Sequence, residues 1–261
     1  MSRVAGVTVR VPHGLWDDGA CHRQAVLHPP GWEAVAALAG ADHLPAAAWT
    51  TQVLAACVEP LPGRDVLATA AAWTLGDRAA LLLEVHRLLT GGPLAIVADC
   101  PSCKATMEAE LGPDDLRPPE RASSPWHDTT VAGVRVRFRV PTGADLEAAD
   151  GTAGALLRRI VLAQDGDVPA DLLEAHLSDQ VAELDPQAEI LLALACPACA
   201  APVDALLDPV VHVRADLARA AERTALEVHG LARHYGWSEQ AILALPAERR
   251  ARYLALVGEA P

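Results

Sequence analysis

The clearest pattern in the chain is a short run with apolar residues at every second position, and it occurs twice. It surrounds a Cys-x-x-Cys motif at residues 94–111 and again at residues 190–207. An alternation with period two is typical of β-strands that bury one face, so each copy predicts a β-hairpin with the cysteine pair at its turn. The matched apolar positions are Leu94 and Ile190, Ile96 and Leu192, Ala98 and Leu194, Met107 and Val203, Ala109 and Ala205, and Leu111 and Leu207.

Apolar residues at helical spacing predict three helices before the first hairpin. They cover Trp32–Ala39, Ala46–Cys57 and residues 77–89, and the last is expected to start at Asp77 and to stop at Gly91. The rest of the first 74 residues has many prolines and glycines and no strong periodicity, which indicates irregular structure.

The segment between the hairpins predicts a loop at residues 112–129 and one strand at residues 130–140. A helix over residues 145–149 should follow, because Thr142 and Asp145 have capping-box spacing. Further helices are expected at residues 153–163, 170–177 and 178–183.

After the second hairpin the chain predicts one long helix and two short ones. Asp208-Pro209 is a favourable helix start and Gly236 a favourable stop, while Ser238 and Pro246 mark the starts of the two short helices.

These patterns predict an α+β fold in which two β-hairpins pair as a zinc ribbon, with an inserted α/β segment and helical N- and C-terminal regions. The expected segments are a helical or irregular region at 1–74, a helix with the first hairpin at 75–111, the insertion at 112–187, the second hairpin at 188–208 and a helical region at 209–261.

The cysteine pairs predict one structural zinc site formed by Cys100, Cys103, Cys196 and Cys199. Two Cys-x-x-Cys turns supply four thiolates to a tetrahedral Zn²⁺, and this closed coordination leaves no position for a catalytic water. Two alternatives stay open: a redox dithiol, which requires a helix after the cysteine pair, and a vestigial site without metal.

Two residues depart from the usual sequence of a zinc knuckle, which is a turn that carries a Cys-x-x-Cys pair. Glycine commonly follows the second cysteine because the chain turns there with a left-handed backbone, whereas this chain has Lys104 and Ala200. We therefore expect some strain or a slightly altered turn. The isolated Cys21 and Cys57 are expected to be small buried residues rather than ligands.

The formal net charge of −13 makes the chain a poor generic binder of nucleic acid. Arg135, Arg137 and Arg139 alternate along the predicted strand and are interpreted as its solvated face. No apolar stretch is long enough to span a membrane, and residues 1–14 lack an apolar core of the length that a signal peptide needs, so a cytoplasmic protein without membrane insertion is expected. No catalytic motif is present, which favours a protein that is not an enzyme and has no small-molecule substrate.

The C-terminal sequence from Leu226 to Leu254, with its run Glu-Val-His-Gly-Leu-Ala-Arg-His-Tyr-Gly-Trp and the later Arg-Arg-Ala-Arg-Tyr-Leu, is distinctive. It resembles the end of a family of baseplate and baseplate-assembly proteins of contractile phage tails and related injection systems. Residues 75–78, both cysteine motifs and residues 138–145 are also similar to that family, so the resemblance covers about residues 75–257.

The resemblance implies a non-enzymatic structural or assembly component of a baseplate, with other baseplate or tail subunits as partners. Tyr235, Trp237 and Tyr253 are candidate interface anchors, because aromatic side chains dominate many binding hot spots. The alternative is that these residues hold a helical corner together. An alternative function is a zinc-ribbon protein associated with nucleic acid or transcription.

Overall fold

The computed structural model describes residues 6–112, 115–116, 123–149 and 151–258. Its small antiparallel sheets and many helices confirm the predicted α+β class. The strands are β1 (Val7–Asp17), β2 (Ala20–Leu27), β3 (Leu94–Asp99), β4 (Thr106–Leu111), β5 (His127–Val131), β6 (Val134–Phe138), β7 (Val161–Gln164), β8 (Ile190–Ala195) and β9 (Pro202–Leu207). The helices are α1 (Trp32–Ala39), α2 (Ala46–Cys57), α3 (Val66–Ala72), α4 (Leu75–Thr90), α5 (Gly143–Ala148), α6 (Ala153–Ile160), α7 (Ala170–Leu184), α8 (Pro209–Tyr235), α9 (Glu239–Leu243) and α10 (Ala247–Gly258).

The N-terminal region begins with a β-hairpin that the sequence pattern did not predict. Strands β1 and β2 pair antiparallel from Val7 opposite Leu27, but the register shifts between Arg10 and Leu15. This irregularity, with Gly14 at φ 84°, breaks the alternation that would have indicated a strand. The expectation of a purely helical or irregular region is therefore wrong, although the predicted bounds of α1 and α2 are confirmed.

The main core joins this N-terminal region to α4 and α8. Trp49, Trp73 and Leu81 are completely or almost completely buried in it, as is Leu217 of α8. Helix α4 starts two residues earlier than predicted, because the hydroxyl of Thr74, not Asp77, caps it. A buried hydrogen bond between His86 Nδ1 and Asp216 Oδ2, 2.6 Å long, also links α4 to α8.

The two predicted cysteine hairpins are both present. Strand β3 pairs with β4, and β8 pairs with β9, as two separate two-stranded sheets. Their inward faces pack together through apolar side chains on both hairpins, including Leu94, Ile96 and Leu207. The hairpins are thus joined by their faces and not by hydrogen bonds between their edges.

The inserted segment differs from its prediction in three respects. The single strand expected at residues 130–140 is a hairpin, β5–β6, because Ala132 and Gly133 form a tight turn with φ values of 50° and 83°. The helix expected at 153–163 ends at Ile160, since Val161 begins β7 and pairs with Phe138. The helices expected at 170–177 and 178–183 form one continuous helix, α7. The predicted capping box of Thr142 and Asp145 is confirmed.

The C-terminal region follows the predicted order of one long and two short helices. The Asp208 carboxylate accepts a hydrogen bond from the Val210 N–H at the start of α8, and Gly236 ends the helix with a left-handed backbone. Ser238 caps α9, and α10 packs back against α8. Part of α8 therefore belongs to the main core, and its C-terminal part supports α9 and α10.

Candidate metal centre

Each cysteine pair lies in a hairpin turn with the same backbone hydrogen bonds. In the first turn the Cys100 N–H donates to the carbonyl of Ala105, and the Lys104 N–H donates to the carbonyl of Cys100, both at 2.9 Å. The equivalent bonds of the second turn run from Cys196 to Ala201 at 2.9 Å and from Ala200 to Cys196 at 2.8 Å. The internal repeat read from the sequence therefore extends to the conformation of both turns.

The unusual residues of these turns adopt the conformation that glycine would favour. Lys104 has φ 61° and Ala200 has φ 58°, both in the left-handed region. This conformation costs a residue with a Cβ about 1–2 kcal/mol. The expected strain is thus present, while the turn itself is retained.

The two turns bring all four predicted sulfur atoms together. Cys100 Sγ lies 3.7 Å from Cys199 Sγ, and Cys103 Sγ lies 3.7 Å from Cys196 Sγ. All four atoms are within 4.8 Å of one another. Sulfur atoms bonded to one tetrahedral Zn²⁺ at about 2.3 Å would be about 3.8 Å apart. The donor set and its spacing therefore fit a single metal ion.

The pKa values of the thiols also favour a bound cation at this site. Hydrogen bonding from the backbone N–H of Cys103 is the largest cause that lowers the pKa of Cys100, to about 6. The pKa of Cys199 is raised to about 12: the Ala201 N–H alone would lower it, but the neighbouring cysteines raise it more. Four adjacent thiols cannot all ionise by themselves, because each new thiolate repels the next. A bound divalent cation would remove this restriction.

The surroundings of the cluster are apolar on one side and open on the other. Cys100 and Cys196 are buried beside Met107 and Val203, whereas the second cysteine of each pair is exposed. A strand, not a helix, follows each pair. The helix that a thioredoxin-like dithiol uses to stabilise its thiolate is therefore not placed after either pair.

The three aromatic residues proposed as interface anchors pack against one another. The rings of Tyr235 and Trp237 stack with centroids 4.7 Å apart, and Tyr253 meets both edge-on at 5.8 Å and 5.0 Å. All three are half-buried. They hold the corner between α8 and α10, and their role in binding a partner stays a prediction.

The arginines of the predicted strand are divided between two environments. Arg135 and Arg137 are exposed on β6, and Arg137 forms a 2.8 Å ion pair with Asp128. Arg139 lies just beyond the strand and pairs with the buried Asp145. Two of the three arginines thus lie on a solvated face, as expected, and the third does not.

Sequence reasoning missed a buried acidic group near the start of α4. Asp77 accepts hydrogen bonds from the backbone N–H groups of His13 (2.8 Å) and Gly14 (2.9 Å), and Asp185 Oδ1 lies 3.3 Å from His13 Nε2. Burial raises the pKa of Asp77 to about 6. These residues come from distant parts of the chain, so no local spacing reveals them.

Fold and site together define an α+β protein with a four-cysteine cluster that could hold a metal ion. None of the family models, curated proteins or solved structures that were compared with the chain matches it. Among the described residues, no helix combines the length and the apolar character needed to cross a membrane.

Proposed function

We propose that the chain is a non-enzymatic structural or assembly component of the baseplate of a contractile, phage-tail-like injection system. In this proposal a zinc ion on Cys100, Cys103, Cys196 and Cys199 holds two hairpins together. Other baseplate or tail subunits are its partners.

The observation that carries the proposal is the convergence of the four cysteines from two distant hairpins. Residues 104–195 separate the two pairs in the chain, yet the sulfurs lie at tetrahedral spacing. A metal there would close a long loop and add a rigid link between the segments on either side of it. Such a link stabilises shape and needs no open coordination position, as a structural component requires.

The identity of the metal follows from the donor set. Four thiolates in a tetrahedral arrangement select zinc or iron–sulfur chemistry over calcium or magnesium, which prefer oxygen ligands. Zinc is proposed because closed four-sulfur zinc sites typically have a structural role.

The sequence resemblance connects this scaffold to a baseplate. It rests on ordered motifs over about residues 75–257, including the segment that forms α8, α9 and α10. Leu226 of α8 and Leu256 of α10 are exposed, at 63% and 50%, and provide apolar surface for a partner subunit.

The proposal is tested by isolating the particles that the source cell makes and by quantifying this chain with mass spectrometry. A fixed ratio to known tail subunits, in finished particles or in assembly intermediates, is expected. Presence in finished particles would indicate a resident component, and presence only in assembly intermediates would indicate an assembly factor. Repeated absence from both would overturn the proposal.

A variant extends the test to the aromatic cluster. Trp237→Ala should reduce the amount of chain recovered with particles if the cluster binds a partner, while Trp126→Ala, an exposed tryptophan on another segment, should not. Hydrogen exchange of α10 separates the two roles of the cluster. Loss of recovery without faster exchange supports an interface, and unchanged recovery with faster exchange supports a purely internal role.

A further inference from the structure

A cavity of about 400 Å³ lies where the N-terminal hairpin, the start of α4 and the inserted segment meet. It shares no lining residue with the cysteine cluster. Three basic side chains line it, namely His13, Arg139 and Arg159, and Asp145 is the acidic residue among the described lining residues. A volume of several hundred cubic ångströms is typical of sites for small ligands.

One carboxylate, that of Asp145, is shared between two guanidinium groups and Thr142. It accepts hydrogen bonds from the Thr142 N–H (3.0 Å) and the Thr142 hydroxyl (2.7 Å), and two more from the guanidinium of Arg139. A carboxylate offers about four acceptor positions. Oδ2 accepts both bonds from Thr142 and one from Arg139, so Arg159 shares Oδ1 with the second bond from Arg139.

Arg159 is therefore a cation with an incomplete partner. Its Nε lies 3.3 Å from Asp145 Oδ1, and its side chain is 41% exposed. Its two terminal nitrogens donate no hydrogen bond within the described part of the chain. One positive charge thus remains unneutralised at the cavity wall, in a chain whose formal net charge is −13.

The opposite part of the wall is held in place by buried groups. His13 Nε2 lies 3.3 Å from Asp185 Oδ1, and the Asp185 side chain is completely buried. The Thr74 hydroxyl accepts a hydrogen bond from the Asp77 N–H, so its own proton is free to be donated. The cavity wall therefore carries the Thr74 hydroxyl and the Arg159 guanidinium as donors, with the imidazole of His13 beside them.

We propose that this cavity binds an oxyanion, a phosphate or carboxylate group, on the guanidinium of Arg159. The planar fork of a guanidinium matches two oxygens of such a group, and its hydrogen bonds to an anion are stronger than those between neutral groups. Arg139 and Asp145 keep the neighbouring wall in place, while His13 and Thr74 face the same space. This proposal depends on neither the bound metal nor the particle.

Calorimetric titration of the full chain with inorganic phosphate and, separately, with acetate tests the proposal at constant ionic strength. Saturable binding of at least one anion is expected, and the tighter one defines the ligand class. Arg159→Gln should weaken that binding about tenfold or more. Arg135→Gln is the matched control, because Arg135 is exposed on β6 and does not line the cavity. It should leave binding unchanged.

Backbone amide chemical shifts give a second measurement that does not depend on any variant. The largest changes on titration should occur at Gly14, Thr142 and Arg159. Failure of both anions to bind, equal loss in the two arginine variants, or shift changes centred elsewhere would each overturn the proposal.

Discussion

Lys104 and Ala200 are equivalent residues of the two cysteine turns, and both have a left-handed backbone, with φ values of 61° and 58°. Neither side chain favours this conformation, yet both turns keep it together with the same backbone hydrogen bonds. The geometry that presents two sulfurs to one point is therefore retained at a local energetic cost. That cost can be removed by substitution.

Replacing Lys104 or Ala200 with glycine should stabilise the protein. Glycine adopts the left-handed conformation without a Cβ clash, but it also increases the conformational entropy of the unfolded chain, which offsets part of this gain. We therefore expect each substitution to raise the free energy of unfolding by about 0.5–1 kcal/mol. Urea denaturation monitored by circular dichroism measures this. Ala193→Gly, at an exposed position of strand β8, is the control and should lower stability. A loss of stability in both turn variants would contradict the strain argument.

Metal removal should destabilise the paired hairpins. A ligand present at 100–1,000 times its Kd stabilises the folded state by about 3–4 kcal/mol, so a strong chelator should lower the unfolding free energy by a similar amount. Cys100→Ser and Cys196→Ser should abolish binding of one metal ion per chain and make stability insensitive to the chelator. Elemental analysis and thermal melts provide both measurements.

Cys21→Ser is the matched control for the metal experiment. Cys21 is a free, half-buried cysteine outside the cluster, and it donates to the carbonyl of His13, as a serine hydroxyl could. It should leave the metal content unchanged. Full stability in a Cys100→Ser protein that has lost its metal would show that the ion is not structural.

The two cysteine hairpins could be predicted because apolar residues recur at every second position on both sides of each turn and the whole pattern is repeated. The N-terminal hairpin could not, because the register shift between Arg10 and Leu15 interrupts the alternation of β1. The turn at Ala132 and Gly133 is hard to predict for a different reason: apolar and polar residues alternate in β6 after it, but β5 before it is polar from His127 to Thr130, and two residues suffice to reverse the chain.

The cysteine cluster and the cavity at Arg159 also differ in how far they could be predicted from the sequence. The type and spacing of the cysteines indicate a possible metal site, so the four candidate ligands can be identified without knowledge of the fold. Arg139, Asp145 and Arg159 are ordinary charged residues in sequence, and only the meeting of β6, α5 and α6 places them together. His13 and Asp185 are still further apart in the chain.

Gly143→Ala should strongly destabilise the fold. A Cβ at this position would overlap Nη1 of Arg78, a buried guanidinium that donates to Thr51 and to the Ala70 carbonyl. Moving it would leave buried polar groups unpaired, so a loss of about 3 kcal/mol or more is expected.

Gly92→Ala is the control, because a Cβ there meets no atom within 4 Å. Its unfolding free energy should stay within about 0.5 kcal/mol of the parent protein. Chemical denaturation of both variants makes the comparison. Equal, small effects at Gly143 and Gly92 would contradict the close approach of Arg78 to the start of α5.

The buried Asp77 should make stability fall as pH rises. Burial raises its pKa from 3.8 to about 6 in the folded protein, so the folded state binds more protons than the unfolded state between these values. The titration of His13 also makes the stability fall as pH rises. Burial alone would lower its pKa, but Asp185 and Asp77 raise it above 6.5, and its stabilising charge is lost as pH rises through that raised pKa. The low pKa of Asp145 gives stability that is lost only at more acidic pH.

Asp77→Asn removes this titration, because asparagine keeps the size of the side chain and does not titrate, and it also removes the part of the raised His13 pKa that Asp77 causes. Between about pH 4.5 and about pH 7.5, the stability of the parent protein relative to the variant should fall by about 2 kcal/mol. The variant also loses one of the two backbone hydrogen bonds that Asp77 accepts, and this adds an offset that is independent of pH. Urea denaturation at a series of pH values gives the difference directly. Two parallel stability curves would mean that the pKa of Asp77 is the same in the folded and the unfolded protein, which would contradict the prediction.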